Sequence, residues 1–200
     1  MSFAESLLAC LVFMLSLAAC GERREEAPSP SPRTAAATLP DADARVREAA
    51  IVVDANGLSN GGSGSRNALR FGAPRAEVDK LVESALDRPA SSSENSDCGA
   101  GPMEFSEAGP LQVAYQDGKF VGWYLSGSGG DVITSDGVRP GIALAQVQEW
   151  RPVRVIADST LEGEFEYQTR DGGVITGFFE GSQSDGRIVA LQAGLNCFFR

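Results

Sequence analysis

Four cysteines are the side chains in this 200-residue chain best suited to covalent chemistry: Cys10, Cys20, Cys98 and Cys197. No two of them form a C-x-x-C pair, so a zinc ribbon or a thioredoxin-type dithiol has no basis. The chain contains no His. Ser-His-Asp and Cys-His catalysis are therefore excluded within it. The usual zinc and non-haem iron sites lose their commonest ligand. Carboxylates remain. Glu94 and Asp97 lie in "SSSENSDCGAG", and Asp131 and Asp136 in "GSGGDVITSDG". Such oxygen-rich loops could take Ca²⁺, but the EF-hand spacing is absent and loops of this kind are common without metal. "GSGSRN" and "GSGGDV" lack the third glycine of a dinucleotide-binding turn. The expectation is no cofactor, no metal and no enzyme; a small enzyme using carboxylates is the alternative.

Cys10 and Cys20 belong to a distinct N-terminal region. Leu7 to Ala19, "LLACLVFMLSLAA", runs thirteen residues without a charge. As a helix rising ~1.5 Å per residue it would reach roughly 20 Å, short of the ~30 Å hydrocarbon core of a bilayer. That length fits the apolar region of a signal peptide. The small residues Ala18 and Ala19 before Cys20 are what a peptidase needs at its cleavage site. Leu17-Ala18-Ala19-Cys20 resembles the lipobox of bacterial lipoproteins. The resemblance implies cleavage before Cys20, diacylglycerol on its thiol and acylation of the new N-terminus. The segment "MSFAES" departs from the pattern, with Glu5 and no Lys or Arg.

Residues 1–19 are thus expected to be a signal peptide and 20–44 a tether. Pro28, Pro30, Pro32 and Pro40, interspersed with Ser and Ala, make that tether extended and coreless. At ~3.1 Å per residue where it is polyproline-like, it could span up to roughly 70 Å. The formal charge of −10 repels both phosphate backbones and anionic lipid, and no Lys/Arg cluster is present. Nucleic acid is not an expected partner. Membrane attachment must come from acyl chains on Cys20, each contributing about 0.8 kcal/mol per buried CH₂. The resemblance implies a bacterial cell envelope location, and Gly21 after the cysteine is compatible with the periplasmic face of the outer membrane.

Residues 45–200 carry dense strand and turn signals. Asp-Gly pairs at Asp117, Asp136, Asp171 and Asp185 punctuate apolar runs. The pair at Asp117, between "LQVAY" and "KFVGWYL", reads as a two-residue hairpin turn, whose central residues both need φ > 0. Two helices are expected. Pro74–Leu86 places Val78, Leu81, Val82 and Ala85 on one face, and Ile142–Trp150 is shorter. "RFGAPRAEV" at Arg70 and "RPGIALAQV" at Arg139 match at a shift of 69, while "DGK" at Asp117 and "DGR" at Asp185 match at 68. Two landmarks with nearly one shift predict an internal repeat, about 51–130 and 131–200. The expected fold is α+β: two tandem units of a short helix packed on an antiparallel β-sheet, in one compact domain.

A glycine turn entering a helix, followed by an antiparallel meander, resembles the SmpA/OmlA lipoproteins of β-barrel assembly. Tandem units of this kind resemble the β-lactamase-inhibitor-protein fold. The runs "CGAGP", "GKFVGW" and "GLNCFFR" also resemble a family of short envelope proteins, some of which bear the name aspartate-semialdehyde dehydrogenase. That activity needs a nicotinamide domain and a thiol working with His, and this chain has neither.

With Cys10 removed and Cys20 lipidated, Cys98 and Cys197 are the even pair left in an oxidising compartment, which reads as a disulfide. A reactive thiol is the alternative, but neither has a neighbouring Lys or His. Trp123 and Tyr124 are adjacent on a strand and so point to opposite faces. One is expected in the core and the other as a candidate anchor of a partner surface. Glu162, Glu164 and Glu166 alternate, which predicts one solvent-facing row. The expected function is a lipid-anchored, non-enzymatic envelope protein that binds or assembles another envelope protein through a concave sheet face or loops. A structural spacer lipoprotein is a further alternative.

Overall fold

A computed structural model describes residues 41–62 and 67–197. The expected signal peptide, Cys10, Cys20 and the prolines of the expected tether lie outside them. The described residues belong to one compact α/β domain, mostly sheet with few helices.

The chain opens with α1 (Ala42–Glu48), β1 (Ile51–Asp54), β2 (Gly57–Asn60) and β3 (Ala68–Arg70). Then come α2 (Arg75–Leu86), β4 (Ser91–Asn95), β5 (Met103–Ala108), β6 (Leu111–Gln116) and β7 (Lys119–Ser126). The second half runs β8 (Val132–Thr134), α3 (Leu144–Gln148), β9 (Val153–Val155), β10 (Glu164–Gln168), β11 (Val174–Glu180) and β12 (Arg187–Gly194). Eight strands form one antiparallel sheet, ordered β4-β5-β6-β7-β12-β11-β10-β9. Four form a smaller sheet, β3-β2-β1-β8, antiparallel except for the parallel pair β1–β8.

Helix α1 begins inside the segment expected to be tether. It is held by packing: Ala42 and Val46, four residues apart on one face, are both buried. Val46 and Ala49 pack on Val52 and Ile133 of the small sheet. Between the two sheets lies the main core. Ile51, Val53 and Leu58 of the small sheet meet Val78 and Val82 of α2, Leu144 and Val147 of α3, and one face of the large sheet. That face carries Val113, Tyr115, Phe120, Trp123, Leu125, Phe165, Tyr167, Ile175 and Leu191. On α2 the buried residues are Val78, Leu81, Val82 and Leu86, with Ala85 at the margin.

The glycine before each of the two larger-sheet helices has a defined task. Gly72 and Gly141 sit at φ 94° and 89°, where an L side chain is strained. The resulting turns aim their N–H groups at the carbonyls of Phe120 and Ile188, both at 2.7 Å. The first helical N–H groups, Arg75 and Leu144, then donate to Gly118 and Gly186, both at 2.9 Å. Neither helix has a side-chain cap, so the hairpin turns satisfy donors that would otherwise be orphaned. Asp117 and Gly118, at φ 52° and 68°, form the two-residue turn between β6 and β7.

Candidate functional site

The large sheet has a second face, turned away from the main core. One row of residues crosses it by successive strand pairings: Glu107, Gln112, Tyr124, Gln192, Thr176 and Glu166. Strand alternation explains why these polar residues share a side, since their chain neighbours Trp123, Leu125, Leu191 and Ile175 fill the core.

Trp123 and Tyr124 divide accordingly. Trp123 is fully buried, and its indole N–H donates to the carbonyl of Asp54 at 2.8 Å. Trp123 therefore cannot belong to an exposed partner surface; it ties the large sheet to β1. Tyr124 is half-buried at the centre of the outer face, and burial raises its hydroxyl above the ordinary pKa.

Two covers frame this face. Cys98 and Cys197 are joined in a disulfide with a Cα–Cα distance of 5.2 Å. With Met103, Phe105, Ala114 and Val121 they form a small apolar cluster separate from the main core. The chain after β12 reaches this cluster by crossing over Gly122, where a Cβ would lie 2.0 Å from the Leu195 carbonyl oxygen. At the other end the 156–163 loop folds back. Its Ser159 hydroxyl donates to Glu164, and the Ile156 N–H donates to the Glu164 carbonyl at 2.9 Å. Glu164 is consequently buried, which corrects the expectation of a solvated Glu162/Glu164/Glu166 row: Glu162 is exposed, and Glu166 pairs with Arg154 at 2.8 Å.

Among the described residues, the large hydrophobic side chains left exposed are Val174 at 49% and Leu195 at 37%. Both border the Tyr124 row. Val174 stands two residues before Thr176 on the same side of β11, and Leu195 lies over Gly122, two residues from Tyr124. The outer face thus offers an aromatic residue, flanking amides and an apolar margin, a composition suited to a polypeptide partner.

Two polar clusters lie away from the outer face. Arg75, at the start of α2, reaches Asp79 (3.2 Å), Glu104, Ser92 (3.0 Å) and the face of the Tyr115 ring, 5.1 Å from its centroid. Burial works against the guanidinium charge, and Asp79 and Glu104 more than offset it, so Arg75 is held above its ordinary value. Tyr115 donates to Asp79 at 2.6 Å; burial and that bond push its hydroxyl far up. This network fastens α2 to β4, β5 and β6.

The second cluster is deeper. Arg151 donates to Asp136 at 2.9 Å, with both side chains buried. The other carboxylate oxygen of Asp136, Nε of Arg151 and Nε1 of Trp150 have no hydrogen-bond partner among the described residues. Burial drives the Tyr167 hydroxyl far up. A cavity of about 280 Å³, lined by Asp54, Ser135, Asp136, Arg170 and Asp171, adjoins this pair. Only Asp136 of its three acids is buried, and Asp54 is paired with Arg70 at 2.9 Å, so no convergent pair of buried carboxylates is formed there. Arg151 and Tyr167 carried no signal in the sequence beyond their residue types.

The loop acids Glu94, Asp97, Asp131 and Asp136 are not gathered into one site. Among the described residues no group of three or more His, Cys, Asp or Glu is arranged to hold a metal ion. No described helix is long and apolar enough to cross a membrane. Comparison with protein-family models, with curated proteins and with solved structures finds no match.

Proposed function

We propose that this protein is a lipid-anchored bacterial envelope protein whose folded domain binds another envelope protein, without catalysis, through the outer face of its eight-stranded sheet. One observation carries the reading: the exposed large hydrophobics Val174 and Leu195 stand at the margins of the row that holds the half-buried Tyr124, on a sheet face that the main core leaves uncovered. Exposed apolar side chains beside an aromatic anchor favour association over solvation. The lipid anchor rests on Leu17-Ala18-Ala19-Cys20. Acylated there, the chain would be retained at the periplasmic face of the outer membrane, with the Pro-rich segment as its spacer.

The domain is further read as a duplicated unit, one helix followed by four antiparallel strands, twice. Three correspondences support this. The Gly72–Phe120 and Gly141–Ile188 hydrogen bonds are equivalent, as are the Arg75–Gly118 and Leu144–Gly186 bonds. Val121 and Val189, each skipped in its strand pairing, are separated by the same shift of 68 as the hairpin turns. Such tandem units meet at β7 and β12, which puts Tyr124 and Gln192 side by side at the join.

A photo-reactive phenylalanine analogue at position 124, introduced in the full-length chain in living cells, tests the binding role. A discrete adduct from position 124, and none from position 48 on α1, is the expected result. Equal adducts from both positions, or none from either, would remove the support for this face.

A further inference from the structure

Resting on that reading, we infer how the same face is controlled: the Cys98–Cys197 disulfide holds residues 195–197 as a strap over part of the outer sheet face, and its reduction by a dithiol lifts the strap and enlarges the apolar surface offered to the partner.

The strap covers a continuation of the Tyr124 row. Phe105, Ala114 and Gly122 pair in register, each two residues along its strand from Glu107, Gln112 and Tyr124, so both rows share one face. Phe105 and Ala114 are nevertheless buried, and they belong to a cluster separate from the main core. That cluster draws Met103, Phe105, Ala114 and Val121 from strands, and Cys98 and Cys197 from outside them. The two cysteines are its cover.

Little else holds the strap. Gly194, at φ 75°, turns the chain off β12, and Gly122 leaves room for Leu195 to cross. The Leu195 N–H donates to the Val121 carbonyl at 2.8 Å, and Nδ2 of Asn95 donates to Sγ of Cys197 at 3.4 Å. Against these bonds, Leu195 is held exposed, and the buried side-chain oxygen of Asn196 has no partner among the described residues. Lifting the strap returns that oxygen to water, which favours release once the covalent tie is cut. Short terminal segments with few contacts fray unless tied down. Neither cysteine belongs to the main core, so cutting the tie opens this corner and leaves the packing between the two sheets in place.

The step is thiol–disulfide exchange. Cys197 is partly exposed and Cys98 is buried, so a thiolate of the reductant attacks the Cys197 sulfur. The S–S bond breaks, and its electron pair leaves on Cys98, which takes a proton. The second thiolate of the reductant then displaces Cys197, which takes a proton in turn, and the reductant departs as its own disulfide.

The test compares the full-length protein in its oxidised form, after reduction with dithiothreitol, and with Cys98→Ser and Cys197→Ser together. Backbone amide NMR reads the strap. In the reduced protein the signals of residues 195–197 are expected to move to unstructured positions and those of Phe105 and Val121 to shift. Those of Val53 and Phe165 in the main core are expected to stay. The photo-reactive residue at position 124 reads the face in living cells. Its adduct is expected to rise at least about fivefold in the double-serine variant, because more apolar surface meets the partner.

Unmoved signals from residues 195–197 after complete reduction would overturn the inference. So would loss of a cooperative thermal melt on reduction, since the disulfide would then be a staple of the whole domain. A discrete adduct of equal yield with and without the disulfide sinks the control and leaves the binding role standing. No adduct from either form sinks both.

Discussion

Removing the Cys98–Cys197 disulfide should lower stability by an amount that its sequence separation sets. The sequence separation across the cross-link is 99 residues, so it closes a loop that holds seven of the eight strands of the large sheet, β5 to β7 and β9 to β12. In the chain-entropy treatment a loop of ~100 residues contributes up to about 4.7 kcal/mol, by restricting the unfolded chain. Each kcal/mol moves Tm by roughly 2–4 °C for a domain near this size, so the double substitution Cys98→Ala, Cys197→Ala should lower Tm by roughly 9–19 °C. The small apolar cluster of Met103, Phe105, Ala114 and Val121 should loosen as well, because both sulfurs pack in it. Urea unfolding of the non-reduced protein and the double variant gives the free-energy difference directly, and the m-value should rise as the unfolded chain expands. A loss below about 1 kcal/mol with an unchanged m-value would refute the entropic reasoning.

Other perturbations follow from particular contacts. Asp136→Leu leaves Arg151 buried without its partner and should cost about 3–5 kcal/mol, whereas Asp136→Leu with Arg151→Met should recover most of it; urea midpoints compare the two. The Tyr115 and Tyr167 hydroxyls are both held well above their ordinary value, so they stay neutral in the fold while the unfolded chain ionises above pH ~10. Their contribution is complete below that pH and is lost as pH rises: stability should fall by about 1.4 kcal/mol per pH unit for each, and Tyr115→Phe should halve the combined slope in alkaline urea titrations. Gly122→Ala puts a methyl against the Leu195 carbonyl. It should cost about 1–3 kcal/mol and speed reduction of the Cys98–Cys197 disulfide by dithiothreitol. Cys20→Ser should release the protein from the membrane fraction; continued membrane association after processing of the signal would remove the case for a lipid anchor.

Local chemistry made some of the domain legible in the sequence. The Asp117-Gly118 turn forms because its two residues tolerate positive φ. Helix α2 follows its apolar spacing to within a residue. The cysteine pairing followed from elimination, since neither remaining thiol had another partner. Other features depend on tertiary packing that no window reveals. Strand alternation separated Trp123 from Tyr124 but could not say which side was core. Glu164 is buried because a loop folds over it, so the same alternation misplaced it. Helix α1 went unseen because an Ala-rich run next to prolines reads as linker until Val46 meets Ile133. The Arg151–Asp136 pair joins residues from a loop and a helix end, and composition alone shows neither. In the outer face, Tyr124 was visible as a candidate, whereas Val174 and Leu195 became part of the site only once β11 and the chain after β12 were placed.

On the proposed reading, Tyr124 anchors a protein partner on the outer sheet face. The most direct test of that role is the dissociation constant of the protein cross-linked from position 124, purified and measured against the unaltered protein and against Tyr124→Ala. Tyr124→Ala is expected to bind at least about tenfold more weakly, as for an aromatic anchor within an interface, while thermal melting shows the variant still folded at the assay temperature. An affinity within about twofold of the unaltered protein would contradict it.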